Sequence, residues 1–121
     1  MKLADGAAAM RQLLERPVGS RPTAVFSASD FSVVGALQVL KEHGLRVPHD
    51  MALAGFSNEI FTAFTEPTIS SVDQRCELMG QEAVRLLLEM LAAGTQPFQP
   101  RRIVLEPEVL IRESSVGMVV Q

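Results

Sequence analysis

The chain has 121 residues, 47% of them hydrophobic, and is long enough for one small domain or a piece of a larger one. Its net charge is −3, with 11 Lys and Arg residues scattered among 14 Asp and Glu, which excludes the concentrated basic surface of a nucleic-acid-binding domain. The single cysteine excludes an internal disulfide and a cysteine metal cluster, and no apolar run reaches the roughly 20 residues that span a bilayer.

Helix and strand signals alternate in the first part of the chain. Apolar residues recur at helical spacing from Leu3 to Leu14, and Pro17 with Gly19 ends this helix. The continuously apolar run over residues 23–26 follows and predicts a short strand covered on both faces.

The next predicted helix runs from Phe31 to His43, after the good N-cap residue Ser29 and before a glycine suited to a left-handed C-terminal position. Its main apolar stripe is Val33, Ala36, Leu37 and Leu40. Val34 and Val39 lie off that stripe, so the helix is predicted to have a second burial surface.

The second half continues the alternation. We predict strands at residues 51–56, 69–72, 103–105 and 109–111, a loop at 57–67, a long helix at 75–93 and a frayed tail at 114–121. The lone thiol, Cys76, is expected to be a small buried apolar residue of the long helix. Together these elements predict an α/β fold with a parallel sheet, in a domain covering residues 1–115 and followed by a tail at 116–121.

Motifs of catalysis are missing from the sequence. It contains no phosphate-binding glycine loop, no serine nucleophile elbow and no zinc-protease helix motif. We therefore expect no enzymatic activity, no cofactor and no metal site.

Uncharged polar side chains follow three of the predicted strands. Ser29 follows the first strand, Ser57 and Asn58 follow the second, and Gln74 follows the third. Because ligands bind beyond the carboxyl ends of parallel strands, these side chains are candidates for one ligand site. Neutral donors and acceptors, with Phe61 or Phe64 as stacking faces, suit a sugar or a nucleoside. The alternative is that Ser29 and Gln74 are only helix caps.

Three stretches of the sequence resemble LacI/GalR transcription regulators. The first is VFSASDFSVVGALQVLKEHGLRVPHDMALAGFSN, with its strand ending in Ser-Asp, its Gly-Ala helix and its Gly-Leu-Arg-Val-Pro-x-Asp turn. The second is EPTISSVDQRCELMGQEAVRLLLEML, and the third is RRIVLEPEVLIRESS, which resembles the family's Leu-x-Pro-x-Leu-x-x-Arg-x-Ser pattern with Val109 at the second Leu. The resemblance covers residues 5 to 115, in the order that the family has.

The resemblance implies the fold and the role. Family members join a helix-turn-helix DNA reader to a two-lobed, periplasmic-binding-protein-like (type I) domain, in which each lobe is a three-layer α/β sandwich. A small effector between the lobes shifts a cytoplasmic homodimer between DNA-bound and released states. This chain would supply most of the carboxy-terminal lobe, and operator DNA would be contacted only by the missing amino-terminal domain.

The resemblance also assigns the candidate site. Ser29 matches a pocket position and Gln74 a polar position near the ligand, whereas Ser57 stands where most members have an Asp, and Asn58 or Glu59 is the alternative residue for that role. A serine cannot replace a bidentate carboxylate acceptor, so the effector (a sugar, a sugar phosphate or a nucleobase or nucleoside) can differ from a simple hexose. A periplasmic-type solute-binding protein for small polar ligands remains the alternative function.

The helix at residues 31–43 is also the predicted dimer interface. Val34 lies off the main apolar stripe, and the small residue Gly35 would allow close approach of a partner backbone. With Phe31 and Gln38, these residues form the predicted surface for a second copy of the chain.

Overall fold

The computed structural model describes residues 1–117 as a small α/β structure. The predicted tail at 116–121 therefore falls mostly on residues outside the described part of the chain. Within residues 1–117 the elements are α1 (Leu3–Leu14), β1 (Ala24–Phe26), α2 (Asp30–Glu42), β2 (Ala52–Phe56), β3 (Ser70–Asp73), α3 (Cys76–Ala93) and β4 (Glu108–Leu110), with short 3-10 turns at Val18–Ser20 and Ile60–Ala63.

The four strands form one sheet in the order β1-β2-β3-β4. β1, β2 and β3 are parallel, with Ala54 of β2 opposite Ser70 of β3. β4 is antiparallel to β3, and Ser71 is opposite Leu110. The predicted α/β class is confirmed. The sheet is mixed because β4 runs antiparallel to β3, although α3 lies between these two strands in the chain.

The second burial surface of α2 is covered by α1. A Cβ atom at Gly6 would lie 1.8 Å from the carbonyl oxygen of Ser32, and one at Gly35 would lie 1.9 Å from the carbonyl oxygen of Leu3. The two helices therefore approach backbone to backbone, which only glycine allows at these positions. Val39, which lies off the main stripe, is completely buried here. Gly35 makes its close contact inside the chain and is not available to a partner's backbone, contrary to the prediction.

The hydrophobic core lies among α1, α2 and the sheet. Met10, Leu40, Leu53 and Ile69 are its largest fully buried apolar side chains. Burying one such side chain stabilises the fold by about 1.5–3 kcal/mol. The predicted stripe of α2 faces this core, since Val33, Ala36, Leu37 and Leu40 are all buried.

β1 is less covered than its sequence predicted. It is an edge strand, and Phe26 exposes 61% of its surface. Only Val25 packs partly against the core. The prediction of a strand covered on both faces is wrong, because a continuous apolar run does not show whether a strand is central or at an edge.

α3 and the segment after it stand apart from the core. None of the side chains of α3 is buried, and Cys76 in its first turn is exposed, contrary to the prediction for this thiol. Residues 103–105 lie along α3 and form no strand, so that prediction is wrong. A strand requires a neighbouring strand for its backbone hydrogen bonds, and the described residues offer none at this place.

The end of the described chain is part of the fold. Ser114 is completely buried; its hydroxyl donates to the Leu53 carbonyl at 2.6 Å and accepts from the Ser70 amide at 2.9 Å. The sequence predicted a frayed tail from Ser114 onward. Because Ser114 is buried and hydrogen-bonded within the fold, that prediction is wrong at this residue. In the same part of the chain, no helix has the length and apolar character to cross a membrane.

Candidate functional site

Ser29, Ser57 and Gln74 lie at the same edge of the sheet. This follows from the parallel pairing of β1, β2 and β3, whose carboxyl ends they follow. The Gln74 amide Nε2 donates to the Ser57 hydroxyl at 3.2 Å, so these two side chains are in direct contact. Ser29 is at the N-cap position of α2 but makes no side-chain capping bond. Gln74 precedes the N-cap residue of α3, which is Arg75. Neither side chain is thus engaged as a helix cap.

The turn after β2 is held in an unusual backbone conformation. Ser57 has φ 109° and Asn58 has φ 52°, both in the region that favours glycine. Such a conformation costs on the order of 1–3 kcal/mol per residue, with asparagine among the more tolerant types. The backbone N–H of Asn58 donates to the Ser71 hydroxyl at 2.9 Å, and this hydrogen bond compensates part of that cost.

The Asn58 side chain uses both of its polar atoms within the protein. Its Oδ1 accepts from the Arg112 guanidinium at 2.9 Å, and its Nδ2 donates to Asp73 Oδ2 at 3.1 Å. The orientation of the amide is fixed by these partners, because a flipped amide would set NH₂ against a cation and oxygen against a carboxylate. Asn58 therefore lies in the site as a link between two charged side chains.

A buried carboxylate stabilises this turn through hydrogen bonds. Asp30 in the first turn of α2 is completely buried. Its oxygens accept from the Ser71 hydroxyl at 2.8 and 3.0 Å and from the Glu59 amide at 2.8 Å. A buried charge is tolerated where hydrogen bonds satisfy it, so Asp30 ties the start of α2 to β3 and to the turn after β2.

An open cavity of about 610 Å³ lies beside the turn, between the strand ends and the start of α3. Its lining is mostly polar and includes three carboxylates and one arginine. The lining residues are Ser57, Asn58, Asp73, Arg75, Cys76, Glu77, Leu78, Gln81 and Glu108. Of the predicted site residues, Ser57 and Asn58 line this cavity, whereas Ser29 and Gln74 lie at the same sheet edge outside its lining.

The predicted stacking faces are elsewhere. Phe61 packs edge-on against Phe31, with ring centroids 5.0 Å apart, and Phe64 is 81% exposed. Neither lines the cavity. The aromatic rings near the turn therefore pack on α2 or face solvent, and they are not part of the cavity wall.

Sequence reasoning missed four polar residues that build the site. Asp30, Ser71, Asp73 and Arg112 make the hydrogen bonds that hold the turn. Asp73 could have been found from its place next to Gln74. Arg112 is the Arg of the third family-like stretch, but its contact with Asn58 could not be predicted, because the two residues are 54 positions apart in the chain. The described residues contain no group of three His, Cys, Asp or Glu side chains placed to bind a metal ion.

The predicted dimer surface is only partly exposed. Gln38 is exposed and Phe31 exposes 48% of its surface, whereas Val34 is half-buried against the core. Gly35 is covered by α1. The face of α2 that remains for a partner thus consists of Phe31, Gln38 and part of Val34.

Comparison with known proteins places the chain in a family. Residues 1–115 match the model of the periplasmic binding protein-like domain. The chain is 43% identical over 110 residues to the HTH-type transcriptional regulator CelR of Thermobifida fusca, and 38% identical over 110 residues to the HTH-type transcriptional repressor CytR of Escherichia coli K12. Each alignment covers 91% of this chain and 31% of the relative, so the chain spans about a third of the length of these relatives.

Solved structures agree with the sequence matches. The complex of the transcriptional regulator CelR with cellobiose superposes with a TM-score of 0.84 at 40% identity, covering 95% of this chain and 34% of that one. A regulatory protein of LacI family from Chloroflexus aggregans gives a TM-score of 0.85 at 31% identity, covering 94% and 40%. The chain therefore belongs to the periplasmic binding protein-like domain family, in the form found in LacI-type regulators.

Proposed function

We propose that the chain is the carboxy-terminal part of an effector-binding domain and that the whole protein is a LacI-type transcriptional repressor. The observation that carries this proposal is the polar cavity at the carboxyl edge of the sheet, with Ser57 in its lining and Gln74 bonded to Ser57. The matched relatives support it, because they are transcriptional regulators and one is named as a complex with cellobiose. A periplasmic-type solute-binding role draws no comparable support from them.

The charges of the cavity favour a neutral effector. Carboxylates of Asp73, Glu77 and Glu108 line it, against the single guanidinium of Arg75. A phosphate group would be repelled by this surplus of negative charge, whereas sugar or nucleoside hydroxyls can donate to the carboxylates. We therefore rank a neutral sugar or a nucleoside above a sugar phosphate.

Repression follows from differential binding in this proposal. An effector changes the affinity for operator DNA only by as much as it prefers one state of the dimer over the other. The net charge of this chain is −3, which does not suit binding to DNA. In this proposal the contact with operator DNA is therefore made by another domain of the whole protein. Self-association through α2, using Phe31, Gln38 and Val34, belongs to the same proposal.

The test is an NMR titration of the ¹⁵N-labelled chain with cellobiose, adenosine and glucose 6-phosphate. We expect cellobiose or adenosine to shift the signals of Ser57 and Gln74 at millimolar concentration, where binding free energy is about −4 kcal/mol. Weak binding is expected because the described chain supplies one wall of the cavity. The phosphate ester should have the smallest effect. If neither neutral ligand shifts these signals at saturating concentration, the effector site is wrongly placed.

A further inference from the structure

We infer that Arg112 is a positioning residue of the candidate site, and that it acts on Ser57 through Asn58. The inference rests on the proposed function in taking Ser57 and Gln74 as effector contacts. Arg112 follows β4, at the far end of the chain from the side chains that it would position, and it does not line the 610 Å³ cavity. Its influence on that cavity must therefore pass through another residue.

The guanidinium of Arg112 connects directly to Asn58 and to two neighbouring segments. Nη1 donates to the Thr62 hydroxyl and to the Ile69 carbonyl, both at 2.9 Å, and Nη2 donates to Asn58 Oδ1 at 2.9 Å. One planar group thus joins the turn after β2, the 3-10 turn at Ile60–Ala63 and the start of β3. A guanidinium has the fork geometry that this needs, whereas the ammonium of a lysine is a point charge without it.

Asn58 connects Arg112 to Ser57. Its amide stands between the Arg112 cation and the Asp73 carboxylate, with oxygen toward the first and NH₂ toward the second. Hydrogen bonds to charged groups are stronger than neutral ones, so the side chain is held from both sides. Since Ser57 and Asn58 are consecutive and both have positive φ, fixing Asn58 also fixes the direction in which the Ser57 hydroxyl points.

The last connection is the contact between Ser57 and Gln74. In this conformation the Ser57 hydroxyl accepts from Gln74 Nε2 at 3.2 Å. Asn58 has no polar side-chain atom left without a partner, so at this turn Ser57 and Gln74 are the side chains that can turn toward an effector. Arg112 and Asn58 are then positioning residues, and Ser57 and Gln74 make the contribution of this turn to the selectivity of the site.

Three variants of the 121-residue chain separate this role from a general structural one. Arg112→Lys keeps the charge and removes the fork, Arg112→Gln removes the charge, and Asn58→Gly removes the amide while still permitting positive φ. Arg11→Gln is the matched control for charge, since Arg11 lies in α1 and its ion pair with Glu42 is exposed. Circular dichroism checks that each variant is folded.

The readout is the ¹⁵N NMR spectrum without ligand. We expect all three variants to shift the signals of Ser57 and of the Gln74 side-chain amide, and the two Arg112 variants to raise the exchange rate of the Asn58 backbone amide several-fold. Arg11→Gln should leave these signals in place. Changes confined to Thr62 and Ile69 would overturn the inference, because Arg112 would then only tie the loop to β3. If Arg112→Gln and Arg112→Lys unfold the chain, the inference is tested with Asn58→Gly alone, and unchanged signals of Ser57 and of the Gln74 side-chain amide in that variant would overturn it.

A ligand titration keeps this result distinct from the proposed function. Where cellobiose shifts the wild-type signals, Arg112→Lys should weaken that binding several-fold while Arg11→Gln does not. If cellobiose, adenosine and glucose 6-phosphate all fail to bind the wild type, the proposed function fails. The coupling of Arg112 to Ser57 is then still judged from the ligand-free spectra.

Discussion

Gly55 of β2 lies directly against the carboxylate of Asp30 in α2, so closely that a Cβ atom at Gly55 would stand 2.0 Å from Asp30 Oδ1. The absence of a side chain at Gly55 lets the buried carboxylate reach across the sheet to Ser71 and to the Glu59 amide. One glycine thereby makes room for the hydrogen bonds that support the turn at Ser57.

Gly55→Ala is expected to destabilise the chain by about 1–3 kcal/mol, the usual cost of overfilling a packed site. The added methyl group must displace Asp30 or the Val33 side chain, which would lie 3.1 Å away. Urea unfolding followed by circular dichroism measures the difference. Gly19→Ala is the control, because an added Cβ at Gly19 meets no atom within 4 Å. Equal stability of the two variants would contradict this account of Gly55.

Gly35→Ala is expected to separate α1 from α2. Its Cβ would lie 1.9 Å from the Leu3 carbonyl oxygen and 2.9 Å from the Ala7 amide nitrogen, and a backbone cannot give way as a side chain can. Hydrogen exchange should become faster along α1 in this variant. Gly80→Ala, in the open face of α3, should instead stabilise its own helix by about 0.5–1 kcal/mol. Unchanged exchange in α1 would show that the helices pack by other contacts.

Sedimentation of the chain at tens of micromolar tests the proposed dimer. We expect a dimer in the wild type and a folded monomer in Gln38→Arg, because two like charges would face each other across a two-fold contact at α2. Gln38 is exposed, so this change leaves the core intact. Val34→Glu should act in the same direction but also weaken packing, as Val34 is half-buried. Gln12→Arg, at an exposed position of α1, is the control. A monomeric wild type would refute the interface.

Asp50 is expected to titrate below the ordinary aspartate range. The backbone amide of Arg46 donates to its Oδ2 at 2.6 Å, and the Arg46 side chain adds two longer bonds and a positive charge, which together lower the pKa of Asp50. A lowered pKa means that this contribution to stability is present above the unfolded-state pKa and is lost as the pH falls through the folded-state pKa. Carboxyl ¹³C shifts followed against pH measure it. Arg46→Met should raise the pKa, and Arg85→Met, in α3, should not.

The sequence was sufficient for the order of helices and strands up to residue 93 and for the sheet edge where the site lies. Ser57 and Asn58 could be placed there because a buried strand ends just before them, and Gln74 because it follows β3. Those inferences use contacts within one element and its neighbours along the chain. The helices and strands of the first 93 residues could be predicted for the same reason, because their patterns are local in the sequence.

The parts that could not be predicted depend on contacts between distant positions. Arg112 meets Asn58 only after β4 has paired with β3, and Ser114 is buried only because Leu53 and Ser70 converge on it. The pattern at residues 103–105 suits a strand, but whether it forms one depends on a neighbouring strand that no local pattern reports.

The lack of buried side chains in α3 affects how the molecule unfolds. A helix of 18 residues without a buried side chain is held mainly by its own backbone bonds, whereas most helices in proteins take most of their stability from tertiary packing. α3 should therefore open and close as a separate cooperative unit, well before the layer formed by α1, α2 and the sheet melts. Heating would then pass through a partly helical intermediate, and a single melting temperature would not describe the whole chain. Whatever packs onto α3 would raise the first transition and leave the second almost unchanged.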